Sequence, residues 1–150
     1  MRNRWIIGFS TIQHSIIQSG YEDVITDICK TYSLYNQISP SKNKQKRCSD
    51  FYYFWFHRKI KKAYHLIELN ILRGNCITIA VWLFSLLLFA GFNPQICLGS
   101  KYEDYKLFAH MWVECDGKIF DLKTNKGKYD LIEKMNYGSI IEAWLDEVQD

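Results

Sequence analysis

Three residues of this 150-residue chain have the types and order needed for covalent acyl transfer: Cys76, His110 and Asp121. A thiol attacks carbonyl carbon only as thiolate, an imidazole takes and returns the proton, and a carboxylate fixes the ring's tautomer and orientation. His110 lies in FAHMWVEC (108–115) and Asp121 in KIFDL (118–122), two strand-like segments joined by Asp116-Gly117. That dipeptide is favoured in two-residue type I′ hairpin turns. With 116 and 117 as the turn, 115 faces 118, 113 faces 120 and 112 faces 121. His110, Trp112 and Asp121 then share one sheet face, with Asp121 diagonal to His110 at a Cβ separation of about 7 Å. Trp112 is expected to wall the site and touch substrate, or to pack in the core, with no part in proton transfer.

The nucleophile needs a helix N-terminus. Cys76 follows Asn75, an N-cap type, and opens CITIAVWLFSLLLFAGF (76–92), which carries no charge. In the first turn of a helix, unsatisfied N–H groups and the macrodipole favour an anion and lower a thiol's pKa. The Cys76 N–H is then free to serve an oxyanion hole. The apolar segment ends at Gly91 before Asn93-Pro94, a stop expected of a buried helix, and it stands at the lower length limit for crossing a bilayer. Upstream, apolar residues at 53, 56, 60, 63, 64, 67 and 71 mark one face of a helix over Asp50–Arg73, with Gly74 as its C-cap. Downstream, Gln95–Gly99 reads as a short strand and Ser100–Lys106 as a loop. Glu22–Tyr35 and Gly138–Val148 read as helices, and Asn36–Ser49 as polar and turn-rich.

Composition bounds the rest. An apolar content of 48%, 16% aromatic residues and 2 prolines place the chain among globular proteins of one domain. The net charge of +3 does not point to nucleic acid as a partner, yet residues 42–62 hold eight basic side chains and one acidic. That block reads as a solvated face or as a dock for an acidic partner. Cysteines at 29, 48, 76, 97 and 115 form no C-x-x-C pair, so neither a disulfide framework nor a metal site is expected, and no cofactor. They read as reduced thiols of a cytoplasmic protein. Trp5–Phe9 is too short an apolar run for a signal peptide, and membrane association is not expected.

From Asn75 to Leu122 the chain resembles the transglutaminase-like cysteine peptidases of lasso-peptide biosynthesis. The residues that carry the resemblance are Asn75-Cys76, Leu86-Leu87-Leu88 with Gly91, Ile96-Cys97-Leu98-Gly99, the string Ala109-His110-Met111-Trp112-Val113-Glu114-Cys115-Asp116-Gly117, and Asp121. The resemblance implies a stand-alone leader peptidase. Such an enzyme cleaves the leader from a ribosomally made precursor with a separate small leader-recognition protein, and releases the core to an ATP-dependent lasso cyclase. It departs from the family at Thr78–Val81, where polar or basic residues are common, and at Met111, where alanine is usual.

The expected fold is α+β: a helical N-terminal half, and a transglutaminase-like (papain-like) core with the Cys76 helix packed on a small antiparallel sheet. Residues 1–49 form the helical and linker region and 50–150 the core. Three other readings use the same features. They are an inactive scaffold that binds a partner, an amide-crosslinking enzyme in which an amine replaces water, and a protein anchored in a membrane by 76–92.

Overall fold

A computed structural model describes residues 4–38, 46–122 and 125–149. Its elements are α1 (Arg4–Ser19), α2 (Tyr21–Ile38), α3 (Asp50–Glu68), α4 (Cys76–Phe89), β1 (Gln95–Glu103), β2 (Lys106–Cys115), β3 (Lys118–Phe120), β4 (Asp130–Asn136) and α5 (Tyr137–Gln149). The four strands form one antiparallel sheet in the order β3-β2-β1-β4. The fold is α+β, as the sequence predicts.

Helix α4 is the axis of the core. It is apolar all round, and Ile79–Phe84, Leu87 and Leu88 are buried. A helix without a polar face must be covered on every side. The covering elements are α1, α2 and α3 together with β1 and β2. Trp82 is clasped from α1 by Phe9 at 5.4 Å and Trp5 at 5.6 Å between ring centroids. The α4 helix stops in a Schellman motif, with Gly91 N–H donating to Leu88 C=O and Phe92 N–H to Leu87 C=O. No helix among the described residues is long and apolar enough to cross a membrane.

The structure corrects several boundaries. Helix α3 ends at Glu68, six residues before Gly74, because Asn70 takes the left-handed conformation (φ 59°). Asn70 and Ile71 then donate to the carbonyls of Ile67 and Leu66, so Asn70 fills the capping role expected of Gly74. Ser100–Lys106 is not a loop. β1 continues through Glu103, turns at Asp104-Tyr105, and returns as β2 from Lys106. Both turn residues have positive φ (51° and 63°), which Asp104 tolerates, whereas Tyr105 stands where glycine is usual. Helix α1 and strand β4 lie outside the predicted elements. The polar segment 36–49 includes residues 39–45, which fall outside the described residues, as do Lys42 and Lys44 of the basic block.

Candidate active site

Asn75 caps α4 with a reciprocal box. Its Oδ1 accepts the N–H groups of Ile77 (3.0 Å) and Thr78 (3.3 Å), while Thr78 Oγ1 accepts the Asn75 N–H at 3.3 Å. Thr78 is fully buried and donates in turn to Gln13 Oε1 on α1. The turn that presents Cys76 is thus held from two helices. Cys76 occupies the first helical position, where its N–H has no carbonyl four residues back to bond.

The hairpin carries the other two groups. Asp116 and Gly117 both have positive φ (52° and 77°), the I′ geometry, and the register is Cys115 opposite Lys118 and Val113 opposite Phe120. β3 ends at Phe120, so the expected pairing of 112 with 121 lies beyond the ladder. Asp121 nevertheless reaches His110, and its Oδ2 lies 2.6 Å from His110 Nε2 with both side chains buried. Three bonds fix this carboxylate residue. Oδ2 accepts from His110, Oδ1 accepts the Leu122 N–H at 2.8 Å, and the Asp121 carbonyl accepts from His57 Nε2 at 3.0 Å. Burial lowers the His57 pKa, which favours the neutral form of this ring on α3.

Because Asp121 holds Nε2–H, Nδ1 is the nitrogen left to face the thiol. The His110 ring packs against Trp112 (5.8 Å, 21° between planes) and Tyr129 (4.8 Å), which also meet each other at 6.5 Å. Trp112 is itself anchored, its Nε1 donating to Glu114 Oε2 at 3.0 Å, an oxygen that also accepts from Cys97 at 3.2 Å. Behind Trp112 stands Gly99. A Cβ there would lie 2.7 Å from the Trp112 ring and 3.0 Å from the Asp130 carbonyl. Gly99→Ala should therefore displace Trp112 and cost about 1–3 kcal/mol of stability, read in chemical denaturation. An unchanged midpoint would show that the ring is free to move.

Charge follows geometry. Burial pushes the Cys76 thiol up, but hydrogen bonding from the His110 ring and the Met111 N–H outweighs it, so the pKa falls below the ordinary thiol value. Burial also disfavours a charged His110, yet its bonds to Asp121 and Cys76 prevail and raise its pKa to about 9. Both shifts favour the thiolate–imidazolium form of the pair. The other four thiols are pushed the opposite way by burial, to about 12 for Cys29, Cys97 and Cys115 and upward for Cys48. All five cysteines are free.

The sign of the pH dependence follows. Alkylation of Cys76 needs only thiolate, so it should rise at pH values below the ordinary thiol range and stay high. Peptide cleavage also needs the His110 proton for the leaving amine, so it should fall as pH passes about 9. Measuring both rates from pH 5 to 10 checks this; a shared alkaline fall would contradict it.

The fold therefore brings Cys76, His110 and Asp121 together, with Trp112 against the imidazole. Cys115, five residues further along β2 and so on the face opposite His110, is buried. His57, Tyr129 and Gln13 were not singled out by the sequence, and Glu114 entered only within the string from Ala109 to Gly117. His57 was legible in principle: it falls one helical turn after Tyr53 and three residues before Ile60, on the inward stripe of α3, although HRKIKK reads as a basic run. Tyr129 and Gln13 offer no spacing signal. Among the described residues no cluster of His, Cys, Asp or Glu is arranged to hold a metal ion.

A half-buried cysteine at a helix N-terminus, set against a buried imidazole that a carboxylate holds on an antiparallel hairpin, defines a class of thiol-dependent acyl-transfer folds. The chain belongs to the Transglutaminase-like superfamily, whose profile matches residues 38–133, more than half of its length. Members of that superfamily are typically cysteine peptidases or acyltransferases. No curated protein and no solved structure matches the chain.

Proposed function

We propose that this protein is a cysteine peptidase that removes the leader from a ribosomally made lasso-peptide precursor. The observation that carries the reading is the lowered Cys76 thiol against an imidazole oriented by Asp121. The string from Ala109 to Gly117 supports the pathway. Cys76 thiolate attacks the scissile carbonyl, and the tetrahedral oxyanion is met by the Cys76 N–H. His110 gives its proton to the departing amine as the C–N bond breaks, leaving a thioester. Water, deprotonated by His110, attacks the thioester and releases the leader carboxylate and the Cys76 thiolate, with His110 again protonated.

In this reading, recognition of the leader falls to a separate small protein, and the released core passes to an ATP-dependent cyclase. The exposed side of α3 offers that recognition protein a dock. Phe51 and Phe54 are 73% and 65% exposed there, beside Arg58, Lys61, Lys62 and the Lys59–Trp55 cation–π pair. Co-expression with a leader-bearing precursor and its recognition protein should give cleavage at one peptide bond. Charge reversal of Lys59, Lys61 and Lys62 should weaken the partner complex about tenfold or more at low salt. Unchanged affinity would return this face to solvent, and a precursor left intact by the reconstituted set would end the assignment.

A further inference from the structure

Strand β2 is ten residues long, but its two neighbours cover it unequally. β1 pairs with it from Lys106 to Glu114, whereas β3 pairs only with Val113–Cys115. Among the described residues, the outer edge of β2 before Val113 has no strand partner. Residues 106–109 are all exposed, Leu107 at 73%, so neither face of this stretch is covered.

The register decides which backbone groups are free. Glu103 and Lys106 flank a two-residue turn and form a bonded pair, so Lys106, Phe108 and His110 spend their N–H and C=O groups on β1. Leu107, Ala109 and Met111 direct theirs outward. The same parity gives the pairs of Val113 and Cys115 with β3, which confirms the assignment. Helix α4 packs on β2, and the Met111 N–H, third in this outward row, is among the groups that lower the Cys76 pKa. The nucleophile therefore sits on the line of an unoccupied ladder.

We propose that the substrate binds as an added strand, the residues before its scissile bond hydrogen-bonding to Leu107 and Ala109 along the open edge of β2. This deepens the peptidase reading and rests on it. Strand addition draws affinity from main-chain bonds and sets few demands on side chains, which suits a leader whose identity is read by another protein. It also requires an extended segment without proline at the pairing positions.

The test uses two thiol-alkylating probes on the whole protein, acetyl-alanyl and acetyl-tetra-alanyl chloromethyl ketone, which form a C–S bond to Cys76 with loss of chloride. Four extended residues and the acetyl group span the five positions from Met111 back to Leu107. The longer probe should react about tenfold faster, the worth of one or two net hydrogen bonds. N-methylating its amides one at a time should cancel the gain at alternate positions only. Leu107→Pro, which deletes an outward N–H and no β1 bond, should cancel it too, with folding followed by circular dichroism. Equal rates for the two probes, or a gain indifferent to which amide is methylated, would overturn strand addition. Iodoacetamide has no backbone to pair, so its rate on the native chain reports the Cys76–His110 pair separately; slow labelling by it would indict the peptidase reading instead.

Discussion

Cys76→Ala should abolish precursor cleavage, and His110→Ala should lower it by about three orders of magnitude or more. Both remove a group whose bond-making the reaction requires, and the remaining thiols, buried and with raised pKa values, offer no substitute nucleophile. Asp121→Ala should cost about one to two orders less than His110→Ala, because an orienter acts through the ring it holds. It should also lower the His110 pKa from about 9, moving the alkaline fall in cleavage to lower pH. That displacement separates orientation from mere scaffolding, since a variant that only loosened the fold would lose rate without moving the profile. Cleavage by Cys76→Ala at the native rate would dismiss this cysteine as nucleophile.

The largest stability effect is expected at Phe84→Ala. Phe84 is fully buried on α4, so truncation removes its transfer energy and leaves a cavity that the surrounding elements close only in part. The expected loss is about 3–5 kcal/mol, a large share of the roughly 5–15 kcal/mol that keeps a domain folded. Because α4 also carries Cys76, partial unfolding there should erase the selectivity of thiol labelling as well. Urea denaturation measures the first effect, and a loss under about 1 kcal/mol would remove α4 from the centre of the core.

What the sequence makes legible here depends on how local the signal is. The Asp116-Gly117 turn and the Asn75 cap each rest on two or three adjacent residues, and both stand in the structure as read. The His110–Asp121 contact followed from the turn alone, although β3 is too short to carry the ladder that far. By contrast, the Asp104-Tyr105 turn puts a tyrosine where a hairpin usually has glycine, so composition conceals it and with it the full length of β1 and β2. β4 was invisible for a related reason. Its first five residues are exposed, so burial imposes no alternation, and a bulge between Leu98 and Gly99 shifts its pairing. α1 hides behind Gly8, a scattering of polar residues and a single fully buried side chain, Phe9. The supporting contacts of the site were beyond reach for a simpler cause: Gln13, His57 and Tyr129 come from three distant places in the chain, and only tertiary packing unites them.

The central claim is that Cys76 alone among five thiols is ionised by a neighbouring imidazole. Brief iodoacetamide labelling of the native protein near pH 6, with each cysteine-bearing peptide quantified by mass spectrometry, tests it most directly. Selective alkylation of Cys76, weakened in His110→Ala, is the predicted result. Labelling that is equally slow at Cys76, Cys48 and the three more deeply buried thiols would contradict the account, because an ordinary thiol at that pH cannot be the nucleophile described.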